Sequence, residues 1–508
     1  MNRILSFFLF SLAFLNVPPA HAQVSQIFYS EPEREDGLRT NFEIIGKISG
    51  NYLVFKNNNS NNAISIYDST MRALQRVPLT FMPERYINID FVAYPDYCIL
   101  IYEYQKKSIV HIAAAKLSPQ AQLIGQPVEL DTTQVGFASN NKIYTVVISE
   151  DKQRIMIFKI NSHDPKNFLF TTFLYGSDMK LIDRHRLYLP MEDRNDLFTD
   201  FLVDNEGTFV FAKYLRSGSN DYVSRVSVVT KGPTADTFAV RDMGAGDRIL
   251  DEIKIKVDNN NNRYIISGFY YRQRRGNIEG LYTVFWDKAT NERVQEKVTV
   301  FADELRALAK STDASIRTAF NDFFIKQVIT KRDGGYLLVS ESLYTTSRGN
   351  MFNRWDYMNP AYGYGPAFYS PYYSPYYNPW ARNYGGAYGT RFHAENIMVL
   401  SYDKESNLQW SNVIPKSQFD DETDHLISTE LVNTGGELHF LFNLYERRNL
   451  LLNDQSISPE GRVTRYPTLH NLDRGYDFMP RYGKQVSSWE TIIPCMYKNY
   501  LCFAKVDF

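Results

Sequence analysis

The sequence predicts an all-β fold, a β-propeller of seven or eight blades, and three observations carry that expectation. A strand, a short polar or glycine turn and an aromatic, β-branched strand recur along the 508 residues. The composition, with 36 Tyr and 34 Phe, favours pleated and half-buried surfaces. The two chain ends each offer fewer strands than a four-stranded blade needs, as when a ring closes by combining them.

The recurring unit reads IIGKISGNYLVFK from Ile44, FVAYPDYCILIYEY from Phe91, GFASNNKIYTVVIS from Gly136 and FLVDNEGTFVFAKY from Phe201. It continues as IKVDNNNNRYIISGFY from Ile255, VITKRDGGYLLVSESLY from Val328 and LVNTGGELHFLFNLY from Leu431. A weaker eighth, IPCMYKNYLCFAKVDF, ends the chain. Asn, Asp and Gly in these turns supply the positive φ of tight hairpins. A strand-bearing repeat of this size is the signature of propeller blades.

The first element is a secretory signal over residues 1–22. Arg3 precedes the apolar run Ile4–Val17, and Ala20-His21-Ala22 offers small residues for cleavage before Gln23. Residues 23–508 then form a single propeller domain with no further apolar run long enough to span a membrane. Periplasmic or secreted location follows. One blade reads Ile87–Ala93, Tyr97–Tyr104, Ser108–Leu117 and Gln122–Leu130; another reads Phe198–Asp204, Thr208–Leu215, Asp221–Thr230 and Thr237–Asp242. In Ser108–Leu117, Ile109, His111, Ala113 and Ala115 share one face. A helical link is expected at Asp303–Lys310, with a second short piece near Ser315–Phe320.

The sixth blade supplies Phe323–Lys331, Tyr336–Tyr344, Asn396–Asp403 and Leu408–Ile414. Its second and third strands are separated by an insertion over 345–395. Within it, residues 357–388 hold ten tyrosines among Pro, Gly and small polar residues. Strand direction alternates in a blade, so this loop emerges on the face that carries the blade-to-blade connections. The helical link and Gly176–Asp196, read as a linker, fall on the same face. Pro keeps its predecessors extended, and Tyr offers a wide apolar face plus a hydroxyl at low rotamer cost. Tyr362, Tyr364, Tyr369, Tyr372, Tyr373, Tyr376, Tyr377, Trp380 and Tyr384 are therefore candidate contacts for a protein or polysaccharide. The alternative is a loop that covers its own propeller.

Asp420, Asp421, Asp424 and His425 form an acidic run on that face; it suits a weak cation site, Ca²⁺ included, or a solvated linker. Asp258 followed by Asn259–Asn262 reads as a hairpin turn. If Lys498-Asn499 is a two-residue turn, Cys495 faces Cys502 across a hairpin at disulfide spacing, leaving Cys98 apart. The region from Asn453 to Lys484 is irregular. Formal net charge is −1, with 56 basic and 57 acidic residues, which argues against a nucleic-acid partner. No nucleophile elbow, phosphate loop, haem motif or zinc-protease motif occurs, so no catalytic residue and no firm cofactor is assigned.

VITKRDGGYLLVSESLY and NIMVLSYDKESNLQWSNVIP resemble one blade of exported bacterial envelope propellers whose turns read DGGY-LLV and YD-x-x-x-NLQW. The resemblance implies the fold and an envelope location and brings no catalytic residues. The expected function is non-enzymatic binding of an envelope protein or glycan through the long-loop face. The alternative is a carbohydrate-active hydrolase or lyase with an acidic site at the central axis.

Overall fold

The computed structural model describes residues 26–33, 40–58, 61–135, 142–164, 166–191, 196–216, 222–246, 248–250, 252–273, 276–310, 320, 322–347, 390–421, 424–446, 449–469 and 475–508. Antiparallel strands form eight blades around an axis, with the innermost strands of successive blades lying side by side. The first blade comprises Thr40–Ile48, Asn51–Asn58, Asn61–Tyr67 and Ala73–Pro78. The second is Asn88–Ala93, Cys98–Lys106, Ile109–Leu117 and Leu123–Gln134. The fourth is Asp196–Val203, Phe209–Arg216, Val223–Lys231 and Ala239–Asp242. Both of the latter follow the strands expected from sequence.

The seventh blade is Thr429–Asn433, Leu438–Glu446, Asn449–Ile457 and Val463–Arg465. The eighth closes the ring. From the axis outwards it has Lys484–Ser487, Glu490–Tyr497, Tyr500–Asp507 and, from the other end of the chain, Gln26–Tyr29. Gln26 pairs with Asp507 and Tyr29 with Ala504. The Ser30 N–H then donates to the Phe503 carbonyl at 2.8 Å, and that of Glu33 to Leu501 at 3.0 Å. An eight-bladed ring completed by the N-terminal strand is the observed architecture.

Three boundaries differ from the sequence reading. The last hairpin joins the second and third strands of its blade, because an innermost strand precedes it. That strand is broken into Tyr476–Phe478 and Lys484–Ser487 by a short 3₁₀ turn at Pro480–Tyr482, and the break is why 453–484 reads as irregular. In the third blade, Tyr144–Ile148 is the innermost strand and not the second; the others are Arg154–Asp164, Asn167–Gly176 and Leu181–Pro190. Gly176–Asp196 is therefore no linker. Leu187 and Leu189 are buried on its strand, while Arg184 and Arg186 point outwards and break up the apolar signal. The Asp258 turn is a hairpin: Asn262 takes a left-handed φ of 50°, and Asp258 binds Arg263 at 2.9 Å. The helix covers Asp303–Ala309; the piece expected near Ser315–Phe320 lies almost wholly outside the described residues.

The core is divided into eight layers, one between each pair of neighbouring blades. Between the third and fourth blades, Phe158, Phe170, Phe198, Phe201, Phe209 and Phe211 pack together. Phe170 stacks on Phe211 at 5.6 Å and meets Phe198 edge-on at 5.7 Å. Between the eighth and first, Phe42, Ile44, Tyr52 and Val54 meet Ile492, Met496, Leu501 and Phe503. Such layers reward strands that are apolar on both faces, since each blade packs against two neighbours. The fourth and fifth blades are further joined by Ile249–Leu250, which pairs with strands of both and fuses them into a nine-stranded sheet.

Replacing the fully buried Phe170 with Ala is expected to cost about 3–5 kcal/mol by cavity formation. Leu74→Ala, on the exposed outer edge, is expected to change stability by less than about 0.5 kcal/mol. Urea unfolding followed by Tyr and Trp fluorescence checks both.

Candidate functional site

The sixth blade comprises Phe323–Thr330, Tyr336–Ser347, Thr390–Tyr402 and Leu408–Ile414. Its second and third strands, 12 and 13 residues long, outrun the blade. A register shift between Glu341 and Leu343 marks where they leave it. Above that shift, Leu343 pairs with Ala394, Tyr344 with His393 and Ser347 with Thr390. Gln418–Asp420 adds a third strand, pairing with Phe392–Ala394. The result is a three-stranded ribbon rising about 13 Å from the blade, and residues 348–389 depart from its tip. The tyrosines named from sequence, and Trp380, lie outside the described residues; the ribbon fixes where their segment begins and ends.

The ribbon has a firm base. Phe324, Leu343, Phe392, Ala394 and Ile427 form a small apolar knot of their own. Beneath it, the buried carboxylate of Glu341 meets the buried ammonium of Lys416 at 2.7 Å and the half-buried one of Lys326 at 3.3 Å. Ser428 donates to the same carboxylate at 2.5 Å. Burial alone would raise the Glu341 carboxyl, but the two lysines and the hydrogen bonds hold it at about 2. Lys416 also donates to the Ala394 carbonyl at 2.9 Å and to Gln418 Oε1 at 2.7 Å. One ammonium thus ties together all three strands of the ribbon base. The side chain of Asn396 donates to the carbonyls of Ala309 and Lys310 at the helix end, at 3.2 and 3.1 Å. On the outer side, Tyr344 stacks on His393 at 4.4 Å. Phe419 remains 48% exposed under the Arg391 guanidinium, 4.3 Å from its ring.

The acidic run is divided between two cationic partners. Arg391 grips Asp421 with two hydrogen bonds, of 2.6 and 3.1 Å. Asp424 is buried against Arg481 of the 3₁₀ turn, and His425 Nδ1 lies 2.9 Å from the Tyr482 hydroxyl. Asp420 takes its place in the ribbon ladder opposite Phe392. Among the described residues, no group of three or more His, Cys, Asp or Glu could hold a metal ion. The charges here serve as clamps between the ribbon, the seventh blade and the eighth.

Ionisable groups around the axis were missed by sequence reasoning, because they come from strands far apart in the chain. Glu43 lies on the innermost strand of the first blade, Asp90 on that of the second and Lys484 on that of the eighth; Lys142 leads into the third. Burial pushes the Glu43 carboxyl up to about 8, against the pull of Lys484 and Lys142 and with a push from Asp90. It faces the Phe91 backbone N–H, yet neither oxygen has a partner of ordinary hydrogen-bond geometry among the described residues. Burial also raises Asp90, whose carboxylate accepts from Asn88 at 2.6 Å. Glu103, raised to about 7 by burial, receives the backbone N–H of Ile143 at 2.8 Å. Carboxyls held protonated near neutral pH are able to donate and accept protons.

No family model matches the chain. No curated protein matches it either. Similar solved structures include prolyl oligopeptidase B from Galerina marginata, with a TM-score of 0.41 and 8% identity over 91% of this chain and 56% of that one. A polysaccharide lyase, the PL25 ulvan lyase, gives 0.36 and 9% over 81% and 90%. An apocarotenoid oxygenase from Synechocystis gives 0.33 and 10% over 75% and 74%. These are propeller enzymes of three different chemistries, and at such identities no site passes from them to this chain.

Glu341→Gln would leave the buried Lys416 ammonium without its paired carboxylate and is expected to cost about 3–5 kcal/mol. The wild-type contribution is present above the ordinary glutamate pKa and is lost as pH falls through 4 towards about 2. The stability gap between wild type and variant should therefore narrow over that window in acid titrations of urea unfolding.

Proposed function

We propose that this protein is exported and acts without catalysis, binding a protein or glycan partner in the cell envelope through its long-loop face. The observation that carries the reading is the ribbon of the sixth blade. It spends a buried ion pair and an apolar knot on a rigid pedestal. What the pedestal presents is a segment of Tyr, Pro and Gly, a composition suited to adhesive contact and poor in chemistry. Stacking of sugar rings or peptide groups on tyrosine faces, with hydroxyls at the rim, would supply the affinity. Deleting 357–388 is expected to abolish recovery of the partner from solubilised envelopes and to leave thermal unfolding unchanged. Equal recovery by the deletion variant overturns the reading.

A second reading, a carbohydrate-active hydrolase or lyase, is favoured by one observation: Glu43 and Asp90 are raised carboxyls within electrostatic reach of Lys142 and Lys484 at the axis. It predicts release of reducing ends or unsaturated uronates from some member of a polysaccharide panel. That activity should fall at least about 100-fold in Glu43→Gln, with folding retained.

A further inference from the structure

The last hairpin of the chain carries a feature that the binding face does not use. Glu490–Tyr497 and Tyr500–Asp507 are joined by Lys498 and Asn499, both left-handed, with φ of 48° and 68°. Two successive left-handed residues make the tight turn that fixes hairpin register. The register sets Tyr497 opposite Tyr500, Met496 opposite Leu501 and Cys495 opposite Cys502. Residues directly opposite in an antiparallel pair have Cα atoms about 4.5–5.5 Å apart, within the span a disulfide bridges. The two thiols are free, fully buried and 3.0 Å apart, on the face turned towards the seventh blade. Cys98 is buried between the first and second blades, far from both.

We propose that Cys495 and Cys502 are a modification site, oxidised to a disulfide that fastens the closing blade. The reaction is thiol–disulfide exchange with a small-molecule disulfide such as oxidised glutathione. One cysteine thiolate, its proton given to solvent, attacks a sulfur of the glutathione disulfide and releases one glutathione thiolate. The other thiolate then displaces the second glutathione. Two cysteine thiols are oxidised, one disulfide is reduced to two thiols, and atoms and electrons balance.

The position of the pair sets when this happens. In the closed ring, burial pushes the Cys495 thiol far above its ordinary value, with the Cys502 hydrogen bond and Asp477 adding to the effect. The attacking thiolate is therefore scarce once the ring has closed. The two-residue turn lets the hairpin form locally and early, while both thiols still meet solvent. Gln26–Tyr29 then pairs along Ala504–Asp507, on the strand that bears Cys502. A bond formed before closure holds the docking strand in register and is afterwards sealed from reductants.

The test uses the full mature chain. It is unfolded in urea, then refolded with reduced and oxidised glutathione or with reduced glutathione alone. Remaining thiols are alkylated after denaturation, and tryptic peptides are weighed. Trypsin cuts after Lys498, so the bridge appears as peptide 485–498 linked to 499–505, two hydrogens lighter than their sum, with only Cys98 alkylated. The bridged protein should melt about 2–4 °C above the reduced protein. Adding the same oxidant to the folded, reduced chain should give the bridge at least tenfold more slowly. Alkylation of all three cysteines after oxidative refolding overturns the proposal, as does capture of glutathione on either residue in place of the bridge. Neither result depends on whether 357–388 binds a partner.

Discussion

The ring depends on four residue pairs. Gln26–Tyr29 against Ala504–Asp507 is the contact that turns eight stacked sheets into a closed cycle. Without it the outer edge of the eighth blade would stand unpaired. The apolar layers on both sides of that blade, one containing Phe42 and Phe503, the other Leu441 and Phe478, would lose their alignment. The entropy of bringing such distant ends together grows only with the logarithm of the intervening length. A short strand is enough because the layers beside it supply most of the driving force.

A second regularity lies beneath the packing. An acidic side chain on or beside the inner two strands of a blade reaches the next blade at six of the junctions. Asp204 accepts from Tyr264, Glu103 from the backbone of Ile143, and Glu252 from that of Ile325. Glu341 accepts from Ser428, Glu430 from Thr491, and Glu490 from Lys47 and Tyr52. Apolar layers alone tolerate sliding; directional bonds between blades fix the angle of each sheet to its neighbour. Glu43 occupies the corresponding place between the first and second blades but has no closed hydrogen bond there among the described residues.

Much of this was legible in the chain. Turns such as Asp-Asn-Glu-Gly from Asp204 and Asp-Gly-Gly from Asp333 mark hairpins by their backbone needs, and they placed the second and fourth blades to within a few residues; in the sixth, the third strand begins at Thr390, six residues before the Asn396 read from sequence. Alternation failed where a strand is short or decorated. Lys484–Ser487 has four residues behind a 3₁₀ turn, and Leu181–Pro190 carries charges on its outer side. The insertion between strands of the sixth blade was legible from its composition. Its pedestal was not: Lys416 sits in what reads as a polar connection, and only folding brings it to Glu341, 75 residues earlier in the chain. The axial carboxyls were hidden for the same reason.

The fused sheet of the fourth and fifth blades has a mechanical consequence. In a ring of eight, the fourth blade lies diametrically opposite the eighth. Ile249–Leu250 welds the joint on that far side, where backbone hydrogen bonds run without interruption from one blade into the next. Gln26–Tyr29 and the last strand meet on the near side. The ring is thus tied by backbone pairing at two opposite points, between neighbouring blades on one side and between distant parts of the chain on the other.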